Sequence, residues 1–142
     1  MSVILSVIIA IGAVLLGMFY PRRLSKYIDL DADAVDAVIV HYVLHGENED
    51  GEFSETVYLD LDKIDLFVYY VKNIKVIPEY IAYKCKTSYY FDIYTNGKIY
   101  RFSSRSLTIW ENGNRIKIVR FRIKDGNDGS LLILFGIKPN GD

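Results

Sequence analysis

The hydrophobic positions of the chain begin with an uninterrupted apolar segment. Val3–Tyr20 contains no charged residue, and as a helix rising about 1.5 Å per residue it would span roughly 27 Å, close to the hydrocarbon thickness of a membrane. Phe19 and Tyr20 are rings typical of a membrane interface, and Pro21 ends the helix. The segment has neither a basic n-region nor a small-x-small cleavage site, which favours an uncleaved anchor over a signal peptide. The pattern therefore predicts a transmembrane anchor over residues 1–21.

Further along, the pattern changes to the alternation that is typical of strands. Val35–Leu44 is rich in β-branched residues, and Phe53–Leu59 alternates apolar with polar positions, so the two segments predict a strand pair. A helix is predicted next, and either Asp60 or Asp62 can act as its N-cap. The apolar stripe of this helix recurs at helical spacing and contains Leu61, Ile64, Phe67, Val68 and Val71.

The second half of the chain predicts a series of strands joined by tight turns. Asn-Gly between alternating segments is a strong hairpin signal, and it occurs at residues 96–97 and 112–113. In the strand that begins at Arg115, the apolar phase slips between Ile118 and Val119, which predicts a bulge or a sharp bend there. The predicted strands are Ser88–Tyr94, Lys98–Phe102, Leu107–Glu111, Arg115–Lys124 and Leu131–Ile137.

These patterns predict an α+β fold, in which a single transmembrane helix precedes a mainly antiparallel sheet of about six strands with one packed helix. The predicted organisation is a transmembrane anchor (1–21), a juxtamembrane connector (22–34) and one soluble domain (35–142). A length of 142 residues suits one such domain, and a content of 51% hydrophobic and 25% charged residues excludes a disordered chain. The single cysteine excludes a disulfide framework within the chain.

Several short motifs resemble those of one group of bacterial domains. The first strand pair is followed by Leu-Asp-Lys-Ile at 61–64, an aromatic strand, Asn-Gly-Lys at 96–98 and Glu-Asn-Gly at 111–113. Over residues 35–124 this arrangement is similar to the small, uncharacterised membrane-anchored or lipoprotein α+β domains of Gram-positive bacteria. The resemblance implies an extracytoplasmic domain and no particular activity. The chain lacks the lipid-modified cysteine common in that group, because its single cysteine is Cys85.

Charge is distributed unevenly along the chain. Asp29–Asp65 contains twelve acidic residues and one basic residue, whereas Leu66–Asp142 contains six acidic and thirteen basic residues. One interpretation, which we favour, is that the acidic first hairpin neutralises the basic strands across the sheet. The other interpretation is an interaction face for a protein partner or an anionic lipid surface. That face would consist of Arg115, Lys117, Arg120, Arg122 and Lys124.

The basic residues beside the apolar segment predict its orientation in a membrane. Arg22, Arg23 and Lys26 follow the segment and no basic residue precedes it, so the positive-inside rule predicts a cytoplasmic domain. The extracytoplasmic side, which the resemblance implies, is the alternative. Within the segment, small residues at spacings of 4, 3 and 4 lie on one helical face and are compatible with a homodimer. These residues are Ser6, Ala10, Ala13 and Gly17.

Candidate catalytic and metal-binding residues are few. His41 and His45 would share a metal ion only on a helix, because on the predicted strand they lie about 13 Å apart. Cys85 lies between two lysines, which favour a thiolate, but no histidine is near it in sequence to act as a base. Asp29–Asp36 departs from the calcium-loop pattern at its required Gly and at its final Glu. We therefore predict no catalytic residue, no metal site and no cofactor.

The remaining partner class is nucleic acid. Aromatic residues interleave with Lys98 and Arg101 as in a stacking platform, but a net charge of −1 and a membrane tether disfavour this partner. The sequence therefore predicts a single-pass, membrane-anchored interaction module rather than an enzyme. The alternatives are an externally facing or secreted domain of an envelope or immunity type, and a small enzyme or ion-dependent module.

Overall fold

An antiparallel sheet forms the main body of the protein. The computed structural model describes residues 2–42, 55–80, 89–124 and 129–137. The strands are β1 (Arg22–Arg23), β2 (Val35–Tyr42), β3 (Glu55–Tyr58), β4 (Lys75–Pro78), β5 (Tyr89–Thr95), β6 (Lys98–Ser103), β7 (Ser106–Glu111) and β8 (Asn114–Ile123). The helices are α1 (Val3–Phe19), α2 (Ile64–Asn73) and α3 (Gly129–Leu134).

The sheet confirms the predicted fold class and corrects its size. The strand order is β1-β4-β8-β7-β6-β5-β2-β3, and every neighbouring pair is antiparallel. The protein is therefore α+β with an antiparallel sheet, but the sheet has eight strands rather than about six. Four consecutive strands, β5 to β8, form a meander joined by short turns. In the β7–β8 turn, Asn112 (φ 51°) and Gly113 (φ 80°) both adopt the positive φ of a type I′ turn.

Two short strands account for the difference in strand number. β1 pairs with β4, with Arg22 opposite Val76 and Arg23 opposite Lys75, and β4 pairs in turn with the end of β8. β1 has two residues and β4 has four, the last of them Pro78. Segments this short carry no clear alternation of apolar and polar positions, so the sequence pattern does not reveal them.

The segment predicted as the last strand, Leu131–Ile137, is not a strand. It begins inside helix α3, in which Leu131 and Leu132 are both buried. Adjacent residues of a helix can face one core together, whereas adjacent residues of a strand point to opposite faces of the sheet. A short apolar segment is compatible with either element, and periodicity alone does not separate them.

Helix α2 covers one face of the sheet. The Phe67 ring lies at the centre of the contact, with its centroid 5.3 Å from that of Phe91 in β5 and 5.9 Å from that of Phe135 after α3. Asp60 precedes the helix but makes no capping hydrogen bond through its side chain, which instead lies 3.0 Å from Lys63 Nζ. The buried residues of α2 belong to the predicted stripe and are Ile64, Phe67, Val68 and Val71. Leu61, which was also predicted to belong to the stripe, precedes the helix and is 78% exposed.

The segment between α1 and β2 also contributes to the core. Leu24, Ile28 and Leu30 are almost fully buried. Short 3₁₀ turns at Leu24–Lys26 and Ala32–Ala34 direct these side chains inward. Residues 22–34, expected as a connector, are thus part of the folded body.

Strand β8 contains a bulge, but the bulge does not lie at the predicted phase slip between Ile118 and Val119. Lys117 lies opposite Ile109 and Arg115 lies opposite Trp110, which leaves Ile116 as the extra residue. The predicted position, two residues further along the strand, has regular pairing. The bulge is therefore present, but it lies nearer the β7–β8 turn than the sequence pattern indicates.

Helix α1 is shorter than the apolar segment that contains it. Ser2 caps its start by accepting a hydrogen bond from Ile4 N at 3.1 Å, and Phe19 is its last residue. Tyr20 is extended (φ −71°, ψ 130°) because the following Pro21 disfavours the helical conformation at that position. Of the helices in the described part of the chain, none has the length and apolarity that crossing a membrane requires. The transmembrane helix expected from the sequence is therefore not supported.

Candidate functional site

Helix α1 differs from helices α2 and α3 because it buries none of its side chains. All 17 of its residues lack burial in the fold, including eleven Leu, Ile, Val and Phe residues. The exposed fraction reaches 79% at Val3 and 75% at Leu16. Soluble monomers seldom expose a continuous apolar surface of this kind, and such a surface usually marks a contact with a membrane or a partner.

The C-terminal end of α1 is fastened to the sheet domain. Tyr80, which follows β4, donates its hydroxyl hydrogen bond to Met18 O at 3.2 Å, and its ring meets the ring of Phe19 edge to face at 6.1 Å. Arg22 Nη2 donates to Gly17 O at 3.2 Å. These donors satisfy backbone carbonyls that the last turn of a helix otherwise leaves unpaired. The end of the helix is therefore held against the sheet edge rather than on a free linker.

Five cationic side chains surround this junction. Together with Gly17, Tyr20 and Pro21 they line a groove of about 780 Å³. We call these five residues the basic collar, and they are Arg22, Arg23, Lys26, Lys75 and Lys124.

Pairing between distant segments brings the basic collar together. Antiparallel pairing of β1 with β4 sets Arg23 directly opposite Lys75. Lys124 N donates to Lys75 O at 3.0 Å, which continues the β4–β8 pairing and adds the third segment. Like charges placed directly opposite each other on neighbouring strands repel. The arrangement therefore raises positive potential at the junction instead of cancelling it.

The basic collar has no acidic partners among the described residues, a property that it shares with Arg120 and Arg122 of β8. Lys63, Lys98, Arg101 and Arg105 each lie within 4.0 Å of a carboxylate oxygen. Within residues 2–42, 55–80, 89–124 and 129–137, no cation of the collar has such a contact. Among the described residues, the positive charge of the collar is therefore not neutralised by a carboxylate.

Of the basic residues expected to form a face on β8, Arg120 and Arg122 are exposed and lie on the side of the strand opposite the buried Phe121. Lys117 lies on the side of β8 that faces the core, because its pairing partner Ile109 is buried, and its Nζ donates to Tyr27 O at 3.2 Å. Arg115 lies beside the β7–β8 turn, on the far side of the bulge. Of the five expected residues, Arg115, Lys117, Arg120, Arg122 and Lys124, only Lys124 lines the groove.

A second polar cluster lies on the face of the sheet that α2 does not cover. Asp92 in β5 is 2% exposed and accepts two hydrogen bonds from Arg101 in β6, from Nε at 2.7 Å and from Nη2 at 2.9 Å. The hydrogen bond and the charge of Asp92 raise the pKa of Arg101, against a smaller opposing effect of burial. The Arg101 guanidinium also lies 4.4 Å above the centroid of the Tyr90 ring.

His41 completes this second cluster. Its Nε2 lies 3.5 Å from Asp92 Oδ2, its ring stacks on Tyr90 at 4.6 Å, and its Nδ1 lies 3.1 Å from Thr56 Oγ1. The Asp92–Arg101 hydrogen bonds join β5 to β6 and the Thr56–His41 contact joins β3 to β2, whereas His41 Nε2 is buried without a hydrogen-bond partner among the described residues. The cluster is not among the residues predicted from the sequence, although the alternation of Tyr90, Asp92 and Tyr94 with apolar residues indicates a polar outer face.

The metal-binding residues considered from the sequence fall into two groups. Asp31, from the acidic segment, accepts a hydrogen bond from Asp33 N at 3.1 Å and so caps the 3₁₀ turn before β2. His45 and Cys85 lie outside the described residues. Among the residues that are described, no three or more His, Cys, Asp or Glu side chains come together in a way that could hold a metal ion.

Comparison with known proteins adds no relative. No protein-family model, no curated protein and no solved structure matches this chain. The resemblance to membrane-anchored and lipoprotein domains of Gram-positive bacteria therefore stays a prediction, and function has to be argued from the geometry alone.

Proposed function

We propose that this protein is a membrane-anchored interaction module, in which α1 embeds in lipid and holds the sheet domain at the membrane surface. The observation that carries the proposal is the exposure of α1, an apolar helix in which no residue is buried and only Gly12 and Met18 are half-buried. Its eleven large apolar residues favour insertion by about 0.3–0.6 kcal/mol each, or about 3–7 kcal/mol in sum. Lipid is the environment that covers such a surface on all sides.

The residues at the end of α1 support the same assignment. Phe19 and Tyr20 supply the amphipathic rings that settle at the level of the headgroups, and the basic collar follows directly. A cationic cluster next to an apolar helix is attracted to a membrane that carries anionic lipid. The two features together support one orientation, with α1 in the hydrocarbon region and the collar at the surface.

We assign the domain a binding role rather than a catalytic one. Among the described residues, the side chains that most resemble a catalytic group are His41, Asp92 and Arg101. His41 and Arg101 both lie against Asp92 across neighbouring strands. Stabilisation of the sheet accounts for that arrangement.

The cations beside α1 support one side of the membrane over the other. Basic residues next to an inserted helix are retained in the cytoplasm, so we place the domain on the cytoplasmic side. A reporter fused to the C-terminus, active only in the cytoplasm, is expected to be active. A second reporter, active only outside the cytoplasm, should be inactive at the same position. Activity of this second reporter would overturn the orientation but not the anchoring.

Flotation with neutral phosphatidylcholine vesicles tests the anchoring. The full chain is expected to float with the vesicles. Ile11→Lys, at the middle of α1, should weaken the association by at least about a hundredfold, because a lysine there costs about 3 kcal/mol on insertion. The matched control is Leu61→Lys, which makes the same type of change at a domain residue that is 78% exposed, and it should float as the unmodified chain does.

Two results would contradict the proposal. The first is an unmodified chain that stays with the unbound fraction. The second is an Ile11→Lys variant that floats as well as the Leu61→Lys control.

A further inference from the structure

We propose that the groove of the basic collar is a binding site for the phosphate of an anionic phospholipid headgroup. The inference rests on the proposed function, because it takes the end of α1 to lie at the lipid surface. It goes beyond general attraction to a charged membrane, since it assigns one site with defined residues.

The first argument is the construction of the groove. Its cations come from three separate segments, the one following α1, β4 and the residue after β8, and they converge on one volume of about 780 Å³. Pockets for small ligands generally enclose about 300–1,000 Å³, so a glycerophosphate headgroup fits this volume. Arginine offers a planar fork suited to two phosphate oxygens, and lysine offers a compact charge. The groove contains both types.

The second argument is the uncompensated charge. Arg23 and Lys75 lie opposite each other on paired strands, which is a destabilising placement for like charges. Within the described part of the chain, these cations have no carboxylate partner, unlike Lys98 and Arg101 elsewhere in the sheet. A bound phosphate would remove the repulsion and satisfy several donors at once. A bound anion would therefore stabilise the arrangement of cations in the groove.

The third argument decides between a lipid and a soluble phosphate. Gly17 and Tyr20 line the groove, so one wall of it belongs to the end of the apolar helix itself. Acyl chains attached to a phosphate in this groove can lie directly along α1, next to exposed residues such as Leu16. A soluble phosphate gains nothing from that surface. The combination of cations and apolar wall matches the two parts of a phospholipid.

Lipid binding to the full chain in detergent micelles tests the proposal, with native mass spectrometry as the readout. Phosphatidylglycerol and phosphatidylcholine are the two probes. We expect phosphatidylglycerol to bind at least about tenfold more tightly. The double variant Lys75→Ala, Lys124→Ala should lose most of this preference, while α1 remains unchanged.

The control removes the same charge at the opposite end of the sheet. Lys98 and Arg115 both lie beside the β7–β8 turn, and Arg115 is nine residues from Lys124, or about 30 Å along an extended strand. Lys98→Ala, Arg115→Ala should keep the preference for phosphatidylglycerol. Thermal unfolding of both double variants shows whether they remain folded. Lys26→Gln, at an exposed position of the collar, is a milder variant, which should lose a smaller part of the preference for phosphatidylglycerol.

Three results would overturn the proposal. One is equal binding of the two lipids, and another is an equal loss of preference in both double variants. The third is complete displacement of phosphatidylglycerol by millimolar inorganic phosphate, which would make the groove a general phosphate site. Flotation with neutral vesicles does not depend on Lys75 and Lys124. A protein that floats but shows no preference for phosphatidylglycerol would therefore contradict the lipid site and leave the anchoring intact.

Discussion

Helices α1 and α2 are both rich in apolar residues, yet they are used in opposite ways. α1 has 17 residues and buries none, whereas α2 has 10 residues and buries four. In α2 the apolar residues form one stripe, and Asp65, Tyr69 and Lys72 lie away from it. In α1 apolar residues occur on every side, so no orientation against the domain could cover them all. The comparison shows that the distribution of polar residues around a helix, rather than its mean hydropathy, decides whether a domain can bury it.

The largest effect is expected from Phe67→Ala in α2. Phe67 is fully buried between Phe91 and Phe135, and removing a buried phenyl ring lowers the free energy of unfolding by about 3–5 kcal/mol. Tyr69→Ala is the matched control, because it removes an aromatic ring that is 61% exposed on the same helix. Denaturant titration of both variants in the same detergent measures the difference. Similar losses in the two would show that α2 is not held by its stripe.

The sheet face without a helix provides the next test. Asp92 is almost fully buried there with no helix over it, and Arg101 is its main partner. Arg101→Leu should lower the free energy of unfolding by about 1–3 kcal/mol, since it leaves a buried carboxylate without its hydrogen-bond donors. Lys98→Leu breaks an exposed ion pair of 4.0 Å with Glu111 and should cost less than about 1 kcal/mol. A smaller effect for Arg101→Leu than for Lys98→Leu would contradict the role assigned to the cluster.

Removal of α1 should have a smaller effect on the domain. A chain that begins at Pro21 loses the hydrogen bond from Tyr80 to Met18 O and the ring contact with Phe19, but it keeps the whole core. We expect its free energy of unfolding to fall by only about 1 kcal/mol. Circular dichroism and thermal unfolding measure this directly. Loss of the folded state would mean that α1 is part of the domain after all.

The smallest effect is expected from Ile11→Lys on the stability of the domain. Ile11 is 55% exposed and contacts no core residue. The free energy of unfolding should change by less than about 0.5 kcal/mol, as is usual for surface substitutions. The same substitution is expected to weaken flotation with vesicles strongly, so a change in membrane association can be told apart from a change in stability. A large loss of stability would remove the contrast between α1 and α2.

The elements that could be predicted from sequence are those with local signals. The stripe of α2 repeats every three or four residues, and Asn112-Gly113 specifies a turn by its own backbone preference. Strand β2 also lies where its β-branched residues predict it. These features depend on residues that are close in sequence, and they are correct.

The errors lie where contacts between distant residues decide the structure. β1 exists only because it pairs with β4, about fifty residues further along the chain, and a strand pair of this size has no pattern of its own. α3 was expected as a strand because an apolar segment of its length fits both elements.

The candidate site could be predicted only in part. Arg22, Arg23 and Lys26 were noted beside the apolar segment, and Lys124 was grouped with the other cations of β8. Lys75 was not noted at all, and the convergence of these residues depends on the pairing of β1, β4 and β8. Charge counts along a sequence identify cations but not which of them will share a groove.

The short junction at the end of α1 has a mechanical consequence. Only Tyr20 and Pro21 separate the helix from β1, and Tyr80 fastens its last turn to the sheet. A connection of two residues, together with the hydrogen bond from Tyr80, leaves little freedom for the helix and the sheet to move independently. A change in the direction of α1 would therefore also change the direction of the adjoining edge of the sheet. The proposed embedding of α1 in lipid would thus fix the angle between the domain and the membrane surface.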